Sequence, residues 1–86
     1  MPEHSHKFID QYTGLVGFGF DRPTDEATVQ FYLQKFSDDG CMAKILPRLE
    51  EQELADIFDL LSLILKRHLS EEEYHSVFLK DHRQEI

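Results

Sequence analysis

The chain is poor in the residues that staple a fold, span a membrane or bind phosphate. Cys41 is its one cysteine, so no internal disulfide can form, and the stapled frameworks of small secreted domains are excluded. A thiol tuned for reactivity wants basic neighbours. Cys41 follows Asp38 and Asp39 closely, and reads as a small buried hydrophobe. Basic residues are scarce: nine Lys and Arg stand against seventeen Asp and Glu, a formal net charge of −8. Such a chain is repelled from nucleic-acid backbones and anionic lipid unless its cations cluster. Lys66, Arg67 and His68 form the one cluster, between acidic stretches, so nucleic acid is disfavoured as a partner. Long apolar runs are missing too. Leu54 to Leu65 is about half a membrane span and carries Asp56 and Asp59, and MPEHSHKF at the start leads into no apolar targeting segment. The expectation is a soluble, cytoplasmic protein with no membrane partner.

Glycine is also rare, yet three of the four glycines fall in GLVGFGF, Gly14 to Phe20. This is not a phosphate loop. A Walker loop needs Lys and a hydroxyl after its last glycine, whereas Asp21 follows Phe20 and no lysine comes before Lys35. A dinucleotide fingerprint has the reverse glycine order and needs a preceding strand. The stretch reads instead as an extended arm, with a helical turn at most over Phe8 to Tyr12 before it. Alternation places Val16, Phe18 and Phe20 on one side, dipping into a groove of this chain or of a partner, and Gly17 and Gly19 on the other, where backbone can approach closely. Backbone amides of a lone strand need partners, so pairing with a second copy is one expectation.

What the chain does have is helical grammar. Thr24 is the expected N-cap of a first long helix, with Asp25 and Glu26 in its first turn. Val29, Tyr32, Leu33 and Phe36 form its apolar face, and Phe31 lies opposite. Ser37 is the expected cap of a short helix carrying Met42, Ile45 and Leu46, ended by Pro47 with a turn near Arg48. The third helix has a stripe roughly 160° wide from Leu54, Ile57, Phe58, Leu60, Leu61, Ile64 and Leu65. Leu63 falls outside it, which predicts a central core helix or a dimer seam. Glu50, Glu51 and Glu53 lead that helix, and Lys66, Arg67 and His68 close it. Ser70-Glu71-Glu72-Glu73 is a capping box for the last helix, with Leu69 and Tyr74 as a hydrophobic staple. LEEQEL, LSEEEY and, more loosely, FSDDGC repeat one layout, which reads as the same helix start used three times.

Chemistry-bearing constellations are thin. His68, His75 and His82 are seven apart. Glu71, Glu72, His75 and His82 are the candidate metal ligands if the last helix continues, and Glu72-x-x-His75 has the spacing of di-metal carboxylate bundles. Those bundles use two such pairs, and the chain has one. No Gly-x-Ser-x-Gly elbow is present, and nothing demands an enzyme. The fold expected is all-α: three to four short helices, with 1–23 as an extended Gly/Phe-rich arm, 24–81 as a bundle and 82–86 as a frayed tail of a single domain. The function expected is a small acidic, non-catalytic interaction module (adaptor, regulator or subunit) without a cofactor. It binds a protein partner or itself as a homodimer, through Val16, Phe18, Phe20, Phe31 and Leu63. A metal-binding domain built on the last helix is the alternative.

Overall fold

The structure is a computed structural model that describes residues 4–81; the expected tail, His82 included, lies outside them. It is all-α: α1 (Phe8–Gln11), α2 (Arg22–Phe36), α3 (Asp39–Ile45), a 3-10 turn (Leu46–Arg48), α4 (Glu51–His68) and α5 (Glu71–Glu73), which runs on as a π-helical turn (Tyr74–Leu79). No strand occurs among the described residues. The helices fall into two compact units, one covering Ser5–Arg48 and the other beginning at Leu49.

In the first unit α2 is the scaffold. Its N-cap is Asp21 rather than Thr24: the Asp21 carboxylate accepts the Thr24 amide at 2.8 Å, and Pro23 sits inside the first turn, where its missing N–H costs nothing. The sequence offers two capping residues three apart, and the proline selects the earlier one. At α3 the cap moves the other way, one residue later than expected: Asp38 caps it by accepting from the amides of Gly40 and Cys41. Ser37 instead closes α2, its amide donating to the Leu33 carbonyl. As expected, the pattern breaks at Pro47 and the chain turns through Arg48.

The face of α2 that is covered is not the apolar one. Thr24, Thr28, Phe31 and Gln34 line the shielded side, while Val29, Tyr32 and Leu33 are exposed. Thr28, 5% exposed, is the one buried side chain among the described residues. Its hydroxyl accepts the Gly17 amide at 3.0 Å and faces the Gly17 carbonyl, to which it donates, at 3.1 Å. Gln34 accepts the Ile9 amide at 3.0 Å and so ties α1 down. Phe8 stacks on Tyr12 at 4.9 Å, and Tyr12 meets Phe31 edge-on at 6.3 Å. Polar groups and aromatic edges hold α1 and the arm on α2, which is why apolar periodicity pointed to the other side.

The second unit begins with α4, whose capping box is Glu50 with Glu53: the Glu50 amide donates to Glu53 Oε1 at 2.9 Å. Lys66, Arg67 and His68 occupy its last turn, as the macrodipole favours. The expectation of a central core helix is not met. No residue of α4 is buried, and Leu54, Ile57, Phe58, Leu60, Leu61, Leu63 and Ile64 are all exposed. The stripe has the width of a buried face, but amphipathicity specifies only that a face seeks cover and not what supplies it. Ser70 and Glu73 form the expected box, with reciprocal bonds of 2.8 and 3.1 Å. Beyond them the backbone loosens into π-helical geometry, and Lys80 ends it in the left-handed region at φ 52°.

The docking of the arm gives a direct test. Thr28→Val keeps the side-chain volume but leaves both polar groups of Gly17 without the hydroxyl, and is expected to destabilise the first unit by about 1–3 kcal/mol. Thr28→Ser should recover most of that loss. Urea unfolding, with hydrogen exchange at the Gly17 amide, measures both.

Candidate functional site

The arm is where the sequence placed most of its interaction residues, and the structure changes its shape. Residues 15–17 form no regular element, the chain bends over Phe18–Phe20, and Gly19 takes φ +99°, a conformation glycine adopts without strain. The Asp25 carboxylate accepts the Gly19 amide at 2.8 Å. The amides expected to seek a second copy are therefore met by α2 at Gly17 and Gly19. The bend also breaks the alternation. A Cβ added at Gly17 would stand 2.7 Å from the Phe20 ring, so Phe20 folds back over the glycine face instead of pointing away from it.

Burial of Phe18 and Phe20 within the chain is likewise corrected: they are 71% and 67% exposed. Gly17 and Gly19 let the chain turn back on itself, so the aromatics ride on the bend rather than in a groove beneath it. Phe18 borders a shallow hollow with Val29 and Leu33, rimmed by Arg22, Asp25 and Glu26. Arg22 and Glu26 pair across that rim at 2.6 Å, both well exposed, and such a pair contributes little to stability. Val16 and Phe31 line a second apolar hollow with Phe36 and Cys41. Phe31 also carries the Lys35 ammonium 5.4 Å from its ring centre. Cys41 is half-buried. The arm thus brings Val16 to Phe31 and Phe18 to Val29 and Leu33, while Leu63 belongs to α4 in the other unit.

On the last helix, His75 is half-buried and engaged with its own turn. Its Nδ1 lies 2.9 Å from Asp81 Oδ2, and its Nε2 lies 4.0 Å from Glu71 Oε2. Glu72 is exposed, and His82 lies outside the described residues. The turn over Tyr74–Leu79 is π-helical and Lys80 ends it in the left-handed region, so the α-helix does not continue past His75 as the metal reading required. A polar cleft in the first unit, lined by His6, Asp10, Asp38 and Asp39 with Lys35, gathers further candidate ligands. Among the described residues no three His, Cys, Asp or Glu side chains converge closely enough to hold a metal ion.

Sequence reasoning missed the anchors of the arm, namely Thr28, Asp25 and Gln34. For Thr28 and Gln34 the signal is a largely polar stripe at helical spacing, Thr24, Thr28 and Gln34 with Phe31 among them. No known protein family, curated protein or solved structure matches the chain significantly.

Asp21, from which α2 starts beneath the arm, links this surface to pH. Hydrogen bonds from the Thr24 backbone and side chain hold its carboxyl below the usual aspartate value. A lowered folded value means that the cap's contribution is present above the ordinary carboxylate range and is lost as pH falls through the lowered one. The Thr24 amide resonance should therefore titrate at acid pH in the wild type. In Asp21→Asn, which keeps an acceptor oxygen but no proton to bind, that titration should vanish.

Proposed function

We propose that this protein is a small acidic interaction module without catalytic function, working in the cytoplasm as an adaptor, regulator or subunit. One observation carries the reading: the apolar stripe of α4 is exposed along its length, from Leu54 to Ile64. Isolated exposed hydrophobes are ordinary, but a contiguous apolar strip on one helix marks an association surface. The strip is bordered by acids at its start and bases at its end, which favours a partner of defined orientation over nonspecific adhesion. The hollow beside Phe18, Val29 and Leu33 offers a second, smaller contact of the same kind. The lone cysteine fits a reducing compartment. Among the described residues no helix is long and apolar enough to cross a membrane.

Serine substitutions on the two surfaces test this. Phe58→Ser with Leu61→Ser strips the centre of the α4 face, and Phe18→Ser strips the arm. Binding of a differently tagged copy of the chain and of other proteins is compared by quantitative pull-down, with far-UV circular dichroism to follow helix content. The α4 variant should lose at least about tenfold in the proteins it retains, because two exposed apolar anchors are removed, and Phe18→Ser should lose less. The reading fails if wild type and both variants retain the same proteins equally.

A further inference from the structure

The exposed face of α4 has a register finer than a stripe. Leu54, Ile57, Leu61 and Ile64 recur at alternating spacings of three and four, the period of a coiled-coil seam. Glu50 and His68 extend the same seam at the two ends of the helix. In this frame Leu54 and Leu61 take a positions, Ile57 and Ile64 take d positions, and Glu53, Leu60 and Arg67 take g positions. Phe58 and Leu65 flank the seam on its other side. All of these residues are exposed except Leu65, which is half-exposed. Charge along the helix is polarised: Glu51 and Glu53 lie in its first turn, and Lys66, Arg67 and His68 lie in its last. Those three basic side chains form no ion pair among the described residues.

We infer that α4 pairs with α4 of a second copy in antiparallel orientation, about a two-fold axis near Asp59 and Leu60. This rests on the reading of the α4 face as an interaction surface, and it names the occupant. Charge decides the orientation. Reversing one copy sets Leu54 against Ile64 of the second copy and Ile57 against its Leu61, so each layer holds one leucine and one isoleucine. It also sets Glu53 against Arg67 and Glu50 against His68 at both ends of the pair, and brings Leu60 to Leu60 across the axis. A parallel pair would instead gather the acids of both copies at one end and their bases at the other. Its leucine-at-a, isoleucine-at-d pattern is moreover the one that shifts parallel assemblies from dimers to higher order. Opposed macrodipoles add in the same sense. The helix is about 27 Å long, so the contact is short, and a dissociation constant on the order of 10 μM suits its size.

A double-mutant cycle on the full chain tests the pairing, with sedimentation equilibrium as the readout. Glu53→Gln keeps the acceptor of the capping box while removing the charge, and Arg67→Gln removes its expected partner. Within one helix these residues are about 21 Å apart, so any coupling between them must act between copies. The wild type should dimerise, and each single variant should weaken the dimer about threefold to tenfold, since each removes two symmetric exposed pairs. The double variant should be no weaker than either single one. Three results would overturn the inference: a wild type monomeric up to about 0.5 mM, single variants that dimerise as the wild type does, or a double variant whose loss is the product of the two. A parallel tetramer would show itself by mass together with an additive cycle. A monomeric wild type that still loses another protein in the pull-down with Phe58→Ser and Leu61→Ser would sink the second copy while leaving the interaction reading intact.

Discussion

The first unit depends on one hydroxyl. Thr28 sits mid-helix, where threonine is an indifferent helix former, yet its side chain is paired with both the amide and the carbonyl of Gly17. One small group thereby satisfies both backbone polar groups of one residue in an arm that has no strand to pair with among the described residues. Buried backbone groups left unpaired cost about as much as a lost hydrogen bond each, so the position fixes where the arm crosses α2. Gly19 can then turn the chain under the Asp25 carboxylate, and Asp21 can start the helix two residues later. Arm, bend and helix start are consecutive consequences of that single contact.

Helix starts were the part of the fold that the sequence showed most clearly. Ser70 to Glu73 and Glu50 to Glu53 each place an acid where it can reach back to the cap amide; the first forms the box read for it, and the second, read only as an acidic helix start, forms one too. Capping is local chemistry, settled within four residues, so it survives any tertiary arrangement. Where two capping residues compete, locality is less decisive. Asp21 prevails over Thr24 because Pro23 belongs inside the first turn, and Asp38 prevails over Ser37 because Ser37 is still closing α2. The covered face of α2 was hidden for a different reason. Periodicity measures where apolar groups want cover, and here Thr28 and Gln34 dock the arm through hydrogen bonds while Val29, Tyr32 and Leu33 stay exposed. The bend at Phe18 to Phe20 was hidden as well, since alternation assumes an extended chain and Gly19 supplies the one dihedral that breaks it.

The candidate surface divides along the same line. Val16 and Phe31, chosen from composition and phase, do share one hollow, and Phe18 meets Val29 and Leu33. The α4 stripe was legible residue by residue, because long amphipathic helices carry the strongest periodic signal in any sequence. Its exposure was not legible, since a core helix and an interface helix have the same pattern. Only the structure shows that α4 is not a core helix.

That exposure has a thermodynamic consequence. Small domains bury a limited fraction of their surface, and stability is the small remainder of large opposing terms. Among the described residues no apolar side chain is buried, so hydrophobic burial within the chain contributes less here than in most domains of this length. Covering the exposed Leu54, Ile57, Leu61 and Ile64 would contribute about 1 kcal/mol each, a sum comparable to a sizeable part of what holds a domain of this size together. Whatever binds α4 in the folded state and not in the unfolded chain therefore stabilises the fold by mass action. For any such ligand, binding and folding are terms of one equilibrium, and the helix caps decide which conformation is ready for it. Without them α4 would have to form its costly first turn at the moment of contact; with them the seam is presented in register before a partner arrives.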